Sequence, residues 1–244
     1  MLPLVLIVAG VVACAAALVG LSRAGPAYRL GRTLSGAPSC AVGDVGAAAL
    51  AGRRYVRVHG RIASEEEFPD ENDRPLVYRR RRLELAEDPL GRHWRILEDE
   101  VHAVAFGIEE RGDYVAVEAA DIDEGLVVIV RESTGTAADA LDRVPPGTPP
   151  AMPLRHRLHQ VSAVEHAFVA GRPTLLADGR PALTRGSGRP LILTTLEIPE
   201  AMRLLAAGHR RLVRAATLTL GLGAGLIGLG VLLGLFGLLR VVPT

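Results

Sequence analysis

The chain has 244 residues, 49% of them hydrophobic, and a formal net charge of +1. This near-neutral balance argues against nucleic acid or a strongly acidic molecule as a partner. All 28 basic residues are arginine, so no lysine is present for Schiff-base chemistry. The only two cysteines are Cys14, in an apolar stretch, and Cys40, in a Gly/Ala/Pro-rich segment; we do not expect them to face each other, so the sequence indicates no disulfide framework. They form no C-x-x-C pair, which excludes a RING, a zinc ribbon and a redox dithiol from this sequence.

An uncharged stretch opens the chain at residues 2–21. Crossing the hydrocarbon core of a bilayer takes about 20 apolar residues in a helix, so this stretch predicts a first transmembrane helix. A cleaved signal or a lipidated Cys14 is the alternative, because residues 11–14 loosely match a lipoprotein cleavage box. The positively charged n-region of a secretory signal is absent here, and apolar sequence continues beyond Cys14. Both facts favour a retained anchor.

A second apolar stretch at residues 215–239 predicts another transmembrane helix, preceded by a juxtamembrane helix at 201–214. It contains two pairs of glycines at small-xxx-small spacing, a pattern that lets helices approach closely. The pairs permit packing against the first anchor or against a second copy in a homo-oligomer, or they arise by chance. Their members are Gly221 with Gly225 and Gly230 with Gly234.

Arginines near the ends of membrane helices predict orientation, because cytoplasmic flanks are enriched in them. One arginine, Arg240, lies at the outer ends, whereas seven flank the region between the two stretches. This bias predicts a cytoplasmic domain with both termini outside. The seven are Arg23, Arg29, Arg32, Arg203, Arg210, Arg211 and Arg214.

Between the apolar stretches, we expect a linker at residues 22–53 and a β-rich domain at 54–200. Residues 55–63 alternate polar and apolar side chains, as in a half-buried strand, and Gly60 within them indicates a bulge or a close backbone approach. Short strands separated by turns follow, which favours a barrel or a sandwich. The predicted fold is membrane-anchored α+β, with two transmembrane helices flanking a mainly β domain. The further strands are expected at 76–86, 93–97, 102–107, 114–119, 126–131, 156–163, 167–169, 174–176 and 190–195.

Four consecutive arginines lie in the middle of the strand predicted at 76–86. They are candidates for binding anionic lipid or another anion. Because alternate side chains of a strand point to opposite faces, the run would be split in two, and structural ion pairs with the acidic loop at residues 64–73 are the competing interpretation. The four are Arg79, Arg80, Arg81 and Arg82.

The histidines are the other candidates for chemistry. His156, His159 and His166 are spaced H-x-x-H-x6-H, and a separation of three in a strand puts the first two on opposite faces. His93 and His102 flank an acidic turn expected at residues 98–100. No nucleophile elbow, Walker loop, dinucleotide fingerprint or zincin motif occurs. We therefore predict no catalytic residue, no metal and no cofactor.

The order of elements resembles the GIDE family, the membrane-flanked domain of mitochondrial membrane-anchored RING E3 ubiquitin ligases. Over roughly 150 residues the likeness lies in the arrangement and in no single sharp motif. It implies a membrane-flanked domain and, as an alternative function, an E3 ubiquitin-transferase-like protein. In the mitochondrial relatives this domain faces the intermembrane space, which is topologically like a periplasm, so the resemblance implies the side opposite to the one that the arginine count predicts, and the side of the domain stays open. No RING is present in this sequence, so direct ligase activity is not expected. The resemblance is carried by residues 55–64, 75–79, 104–117, 161–179 and 190–205.

The composition, with 27 Gly, 16 Pro and no lysine, is typical of GC-driven codon bias and favours a prokaryotic source. Together these features predict a prokaryotic, two-span protein of the cell membrane with a binding or scaffold role. The expected partners are membrane lipids and other membrane or membrane-associated proteins, with a homo-oligomer through the glycine-rich span and no nucleic acid.

Overall fold

The computed structural model describes residues 2–207 and 210–241 of the chain. It separates into two compact units. One combines residues 1–32 with 202–244, and the other comprises residues 33–201. The first contains the apolar helices and the second contains all the strands.

Four helices are present among the described residues: α1 (Leu2–Gly36), α2 (Val45–Leu50), α3 (Ile198–Ala207) and α4 (Arg210–Val241). Within α4, Arg214–Leu233 is long and apolar enough to cross a membrane, judged by length and composition. The apolar part of α1 in the described residues, Leu4–Val19, is shorter. Length and composition thus identify one candidate span, in α4.

Helix α1 continues to Gly36, well into the segment predicted as a linker at residues 22–53. Gly25 and Pro26 favoured that prediction, because both residue types disfavour helix interiors. Packing in the first unit accounts for part of the difference: a Cβ on Gly31 would lie 3.1 Å from the Sδ of Met202. The rest of the predicted linker holds a 3-10 turn at Val42–Asp44 and then α2.

Helices α1 and α4 pack against each other as an antiparallel pair. A Cβ on Gly10 would lie 2.6 Å from the carbonyl oxygen of Gly223, and one on Gly223 would lie 2.7 Å from the Sγ of Cys14. The same Sγ lies 4.0 Å from the carbonyl oxygen of Leu220. Residues later in α1 therefore contact residues earlier in α4, which makes the pair antiparallel.

The second unit is mainly β, as predicted. Its first sheet has the order β1-β5-β6-β10-β9-β11, and β1 also pairs with β9, which closes five strands into a barrel. Side chains from all five strands, with Val45 and Ala48 of α2, fill the core. Gly60 makes the close approach expected of it, since a Cβ there would collide with the carbonyl oxygen of Glu109. The strands are β1 (Val56–Ser64), β5 (Phe106–Glu110), β6 (Asp113–Val117), β9 (His166–Leu175), β10 (Pro181–Thr184) and β11 (Ile192–Thr194).

The second sheet has the order β2-β3-β8-β7, and β4 pairs with β3 on the same edge as β2. Its two long central strands, β3 and β8, are polar in their middle and apolar towards their ends. A small core of Leu83, Leu85, Ala137 and Leu154 lies at one end. The strands are β2 (Phe68–Pro69), β3 (Pro75–Ala86), β4 (Trp94–Ala103), β7 (Arg131–Thr136) and β8 (Pro153–Ser162).

Four local predictions were wrong. The strand expected at 102–107 is divided between β4, which ends at Ala103, and β5, which begins at Phe106. Residues 98–100 are not a turn, because β4 runs through them to Ala103. The strand expected at 126–131 is reduced to one bridge at Leu126, and β7 begins at Arg131. The break expected between 169 and 174 is absent, because β9 runs through it while its neighbours change from β1 and β11 to β10.

Candidate functional site

The four arginines predicted as an anion-binding run are divided between the two faces of the second sheet. Arg80 and Arg82 share one face of β3, and Arg79 and Arg81 share the other, as the alternation of a strand requires. We call the side of Arg80 and Arg82 the charged face. It comprises Arg80, Arg82, Glu84, Asp99, Glu132, Arg155, Arg157 and His159.

Arg80 is fully engaged within the protein. It is 8% exposed, and its Nε and Nη2 each donate to a carboxylate oxygen of Asp99 at 2.7 Å. Its Nη1 donates to the main-chain oxygen of Asp123 at 2.7 Å. The bond from Arg80 lowers the pKa of Asp99 below its ordinary value. These contacts make Arg80 a structural residue, because breaking such a buried pair leaves an uncompensated charge.

The sequence does not indicate Asp99 as a site residue, because the pattern at residues 98–100 predicts a turn. Its position directly opposite Arg82 in the β3–β4 ladder explains its role. There it accepts from both arginines of the charged face on β3, the bond from the Arg82 Nε being 3.1 Å long. The acidic loop at 64–73, the predicted partner, makes no ion pair with Arg80 or Arg82 in the described structure.

A row of four charges crosses the charged face at the level of Arg82. The pairing register runs from Asp99 on β4 to Arg82 on β3, Arg157 on β8 and Glu132 on β7. The two arginines are therefore direct neighbours at the centre of the sheet. Like charges placed opposite each other on neighbouring strands are destabilising, so this row needs negative charge around it.

The next row is anchored by a buried carboxylate. Glu84 is 4% exposed and accepts from the Nε of Arg155, which lies opposite it on β8. The guanidinium of Arg155 stacks over the Trp94 ring, 4.1 Å from its centroid, a favourable cation–π geometry. The alternation of R-H-R at residues 155–157 indicates that Arg155 and Arg157 share one face of a strand, but the pairing with β3 that makes them neighbours of its arginines is seen only in the structure.

His159 lies opposite Arg80 in the β3–β8 pairing. Its Nδ1 is buried and has no hydrogen-bond partner among the described residues. Burial, followed by the charges of Arg157, Arg82 and Arg80, lowers its pKa from 6.5 to about 4. The imidazole is therefore neutral at pH 7 and sits in a positive electrostatic field.

The other two arginines, Arg79 and Arg81, lie on the opposite face of β3 beside a shallow depression. The Arg79 guanidinium lies 5.3 Å from the centroid of the Phe68 ring, and His102 meets that ring edge-on. Arg81 makes no hydrogen bond or ion pair within the described residues, and with Arg79, Glu100 and His102 it lines a depression of about 320 Å³. This face mixes acids and bases without a dominant charge.

The remaining histidines do not converge. His156 and His159 lie opposite Leu83 and Arg80 in the ladder and so face opposite sides of β8. His166 belongs to the barrel, where its ring lies 6.0 Å from that of His59. Across the described parts of the chain, no group of three or more His, Cys, Asp or Glu side chains is placed to hold a metal ion.

Of the four glycines predicted to pack helices, Gly221 and Gly225 have open surroundings, because a Cβ on either would meet no described atom within 4 Å. Gly230 is buried, and the surroundings of Gly234 lie outside the described residues. The contact between α1 and α4 uses Gly10 and Gly223 instead. These two were missed, although Gly10 and Cys14 have the same i, i+4 spacing of small residues.

No protein-family model matches the chain, and neither a curated protein nor a solved structure does so.

Proposed function

We propose that this chain is a two-span membrane protein whose mainly β domain binds a protein partner or a lipid headgroup, in a scaffold role. One observation carries the membrane part: the apolar side chains of α1 and α4 remain uncovered although the two helices pack together. The binding part follows from the charged face, where arginines are concentrated on a rigid sheet.

The uncovered side chains extend along both helices. Leu4 and Val12 of α1 are 63% exposed, and Leu218 and Leu222 of α4 are 75% and 65% exposed. Soluble proteins rarely leave a continuous apolar surface of this kind in water. Lipid chains would cover this surface and remove the free-energy cost of exposing it to water. A helix in lipid also satisfies its own backbone hydrogen bonds.

The length of α1 fits a span that extends beyond the bilayer. Its 35 residues are about 52 Å long at the rise of an α-helix, against roughly 30 Å for a hydrocarbon core. Residues 2–21 would occupy the core, and the part with Arg29 and Arg32 would emerge from it. The resemblance to the membrane-flanked domain of the GIDE family supports the same arrangement.

The test is extraction of the full chain from cell membranes. We expect the protein to remain in the membrane pellet after alkaline carbonate and to enter solution with mild detergent. Leu222→Arg should reduce membrane integration, because an arginine at the centre of a span costs about 3 kcal/mol. Leu50→Arg is the matched control, since Leu50 is 79% exposed and lies outside both apolar helices. Release of the unmodified chain by carbonate, or its recovery in the soluble fraction, would overturn the proposal.

A further inference from the structure

The centre of the charged face has more hydrogen-bond donors than acceptors. Each guanidinium carries five N–H donors. Among the residues that the structure describes, Arg82 makes one hydrogen bond, from its Nε to Asp99. Arg157 has only longer ion contacts, at 3.4 Å from its Nε to Glu132 and 4.0 Å from its Nη1 to Glu84, and its Nε lacks a hydrogen-bond partner in the described structure. The two guanidinium groups are thus undersupplied with acceptors, in contrast to Arg80.

The same place is partly accessible and has a rigid base. The side chains of Arg82 and Arg157 are 22% and 30% exposed, so both are partly accessible to a ligand. Arg80 is fixed by Asp99 and Asp123, and Arg155 by Glu84 and Trp94. These contacts hold the strands, and with them Arg82 and Arg157, in fixed register. A ligand would therefore contact two guanidinium groups whose strands are already fixed in position.

We infer that Arg82 and Arg157 form a binding site for a phosphate group. This inference rests on the proposed function and names the chemistry of its ligand. Arginine binds phosphate through two parallel N–H···O bonds, and a phosphate offers enough oxygens to accept from two guanidinium groups at once. Its charge also relieves the repulsion between the two neighbouring arginines. Asp99 and Glu132, at the two ends of the row, limit the site to its centre.

His159 supplies an independent sensor for an anion in this site. Arg157 and Arg82 both act on its imidazole, and together with burial they depress its pKa. A phosphate bound between the two arginines would partly cancel their field. Binding would therefore raise the pKa of His159 and shift its imidazole resonances, a response that a purely structural role of the arginines would not produce.

The experiment titrates inorganic phosphate into the full chain in mild detergent and follows the imidazole resonances of His159, assigned with His159→Gln. We expect saturable shifts with a Kd on the order of 1 mM. The double variant Arg82→Gln, Arg157→Gln should bind about tenfold more weakly or not at all. The control Arg61→Gln, Arg172→Gln removes the same charge from exposed barrel positions and should bind like the unmodified chain.

The source of the phosphate group is resolved by repeating the titration in lipid nanodiscs. If the ligand is a lipid headgroup, discs containing phosphatidylglycerol will shift His159 before any phosphate is added, and pure phosphatidylcholine discs will not. If the ligand is a free phosphate, both discs will respond to added phosphate alike.

The inference is overturned if phosphate leaves His159 unchanged, or if the charged-face double variant and its control respond equally. Either result would leave carbonate resistance intact, whereas failure of the membrane proposal would appear as carbonate release. The two failures are therefore distinguishable.

Discussion

His159 is a half-buried base whose Nδ1 is shielded from solvent, and it lies among charged side chains. Arg80 lies opposite it on β3, Arg157 and Arg82 also act on it, and the carboxylates Asp99 and Glu84 of the same face are bound to arginines. Both burial and neighbouring positive charge disfavour the imidazolium form. The protonation of this single side chain is therefore coupled to the stability of the sheet around it.

The stability of the β domain should fall as pH drops from 6.5 towards 4. The pKa of His159 is lowered to about 4 in the folded chain, so the unfolded chain binds more protons in this window, and stability rises with pH there. After allowance for partial exposure and screening, the loss should be about 1–2 kcal/mol. We expect His159→Gln to flatten this dependence, measured by denaturant unfolding of the full chain followed through Trp94, its only tryptophan.

The matched control for this pH series is His93→Gln, because the His93 side chain is 60% exposed. It should keep the slope of the unmodified chain. Asp99, whose pKa is lowered from 3.8 by its bond to Arg80, also contributes a loss of stability as pH falls. Both histidine variants retain Asp99, so the comparison between them isolates the effect of His159. An unchanged slope in His159→Gln would show that the imidazole is not the group responsible.

Part of this site follows from sequence, and part requires the fold. Alternation within β3 correctly divides Arg79 to Arg82 between two faces. The partner of Arg80 could not be identified, because cross-strand register depends on how β3 and β4 align, and no local pattern specifies it. Because a turn is predicted at residues 98–100, the sequence does not place Asp99, the actual partner of Arg80, in a neighbouring strand.

At the level of whole elements, each of the two apolar helices packs against the other through one face. Gly10 and Gly223 lie where the backbones of α1 and α4 approach, and Gly225 lies on an open side. Composition marks both helices as rich in small residues, but the contact face is set by the partner helix, whose position is not encoded in the spacing of one helix alone. This explains why Gly223 was missed while its neighbours Gly221 and Gly225 were selected.

Cysteine crosslinking tests that contact. In a Cys40→Ser background, Gly223→Cys should form an intramolecular disulfide with Cys14 under mild oxidation, because a Cβ at 223 lies 2.7 Å from the Cys14 Sγ. Adding Gly10→Leu should suppress the crosslink, since its side chain would meet the backbone of Gly223 and the side chain of Ile227 at 2.6 Å. The strain from such overpacking is about 1–3 kcal/mol. Crosslinking is read from mobility on non-reducing gels.

Gly225→Leu is the control for the crosslinking series, because the added side chain has free space. It should leave the crosslink unchanged. A disulfide that forms only between two molecules would refute the intramolecular pair and favour packing between copies, which stays a prediction for Gly221 and Gly225.

For the molecule as a whole, sequence predicts the mainly β character of the central unit but not how its barrel closes. Closure depends on pairing of β1 with β9, as in Val58 with Val169, and these residues are far apart along the chain. Alternation of polar and apolar residues indicates that a segment forms a strand, but it does not identify the strand with which that segment pairs. The parallel pairing of β6 with β10 is a second long-range choice of this kind.

The last prediction concerns topology. If the antiparallel pair α1 and α4 spans the bilayer, chain connectivity puts both termini on one side and residues 33–201 on the other. Arginines such as Arg29, Arg32 and Arg214 flank the domain side, against Arg240 alone at the outer ends, so this side should be cytoplasmic. In a chain with Cys14→Ser and Cys40→Ser, Asp142→Cys should react with an impermeant maleimide only after the cells are opened. Thr244→Cys should react in intact cells. Labelling of both cysteines from the same side would refute two spans, and a reversed pattern would refute the orientation while keeping the spans.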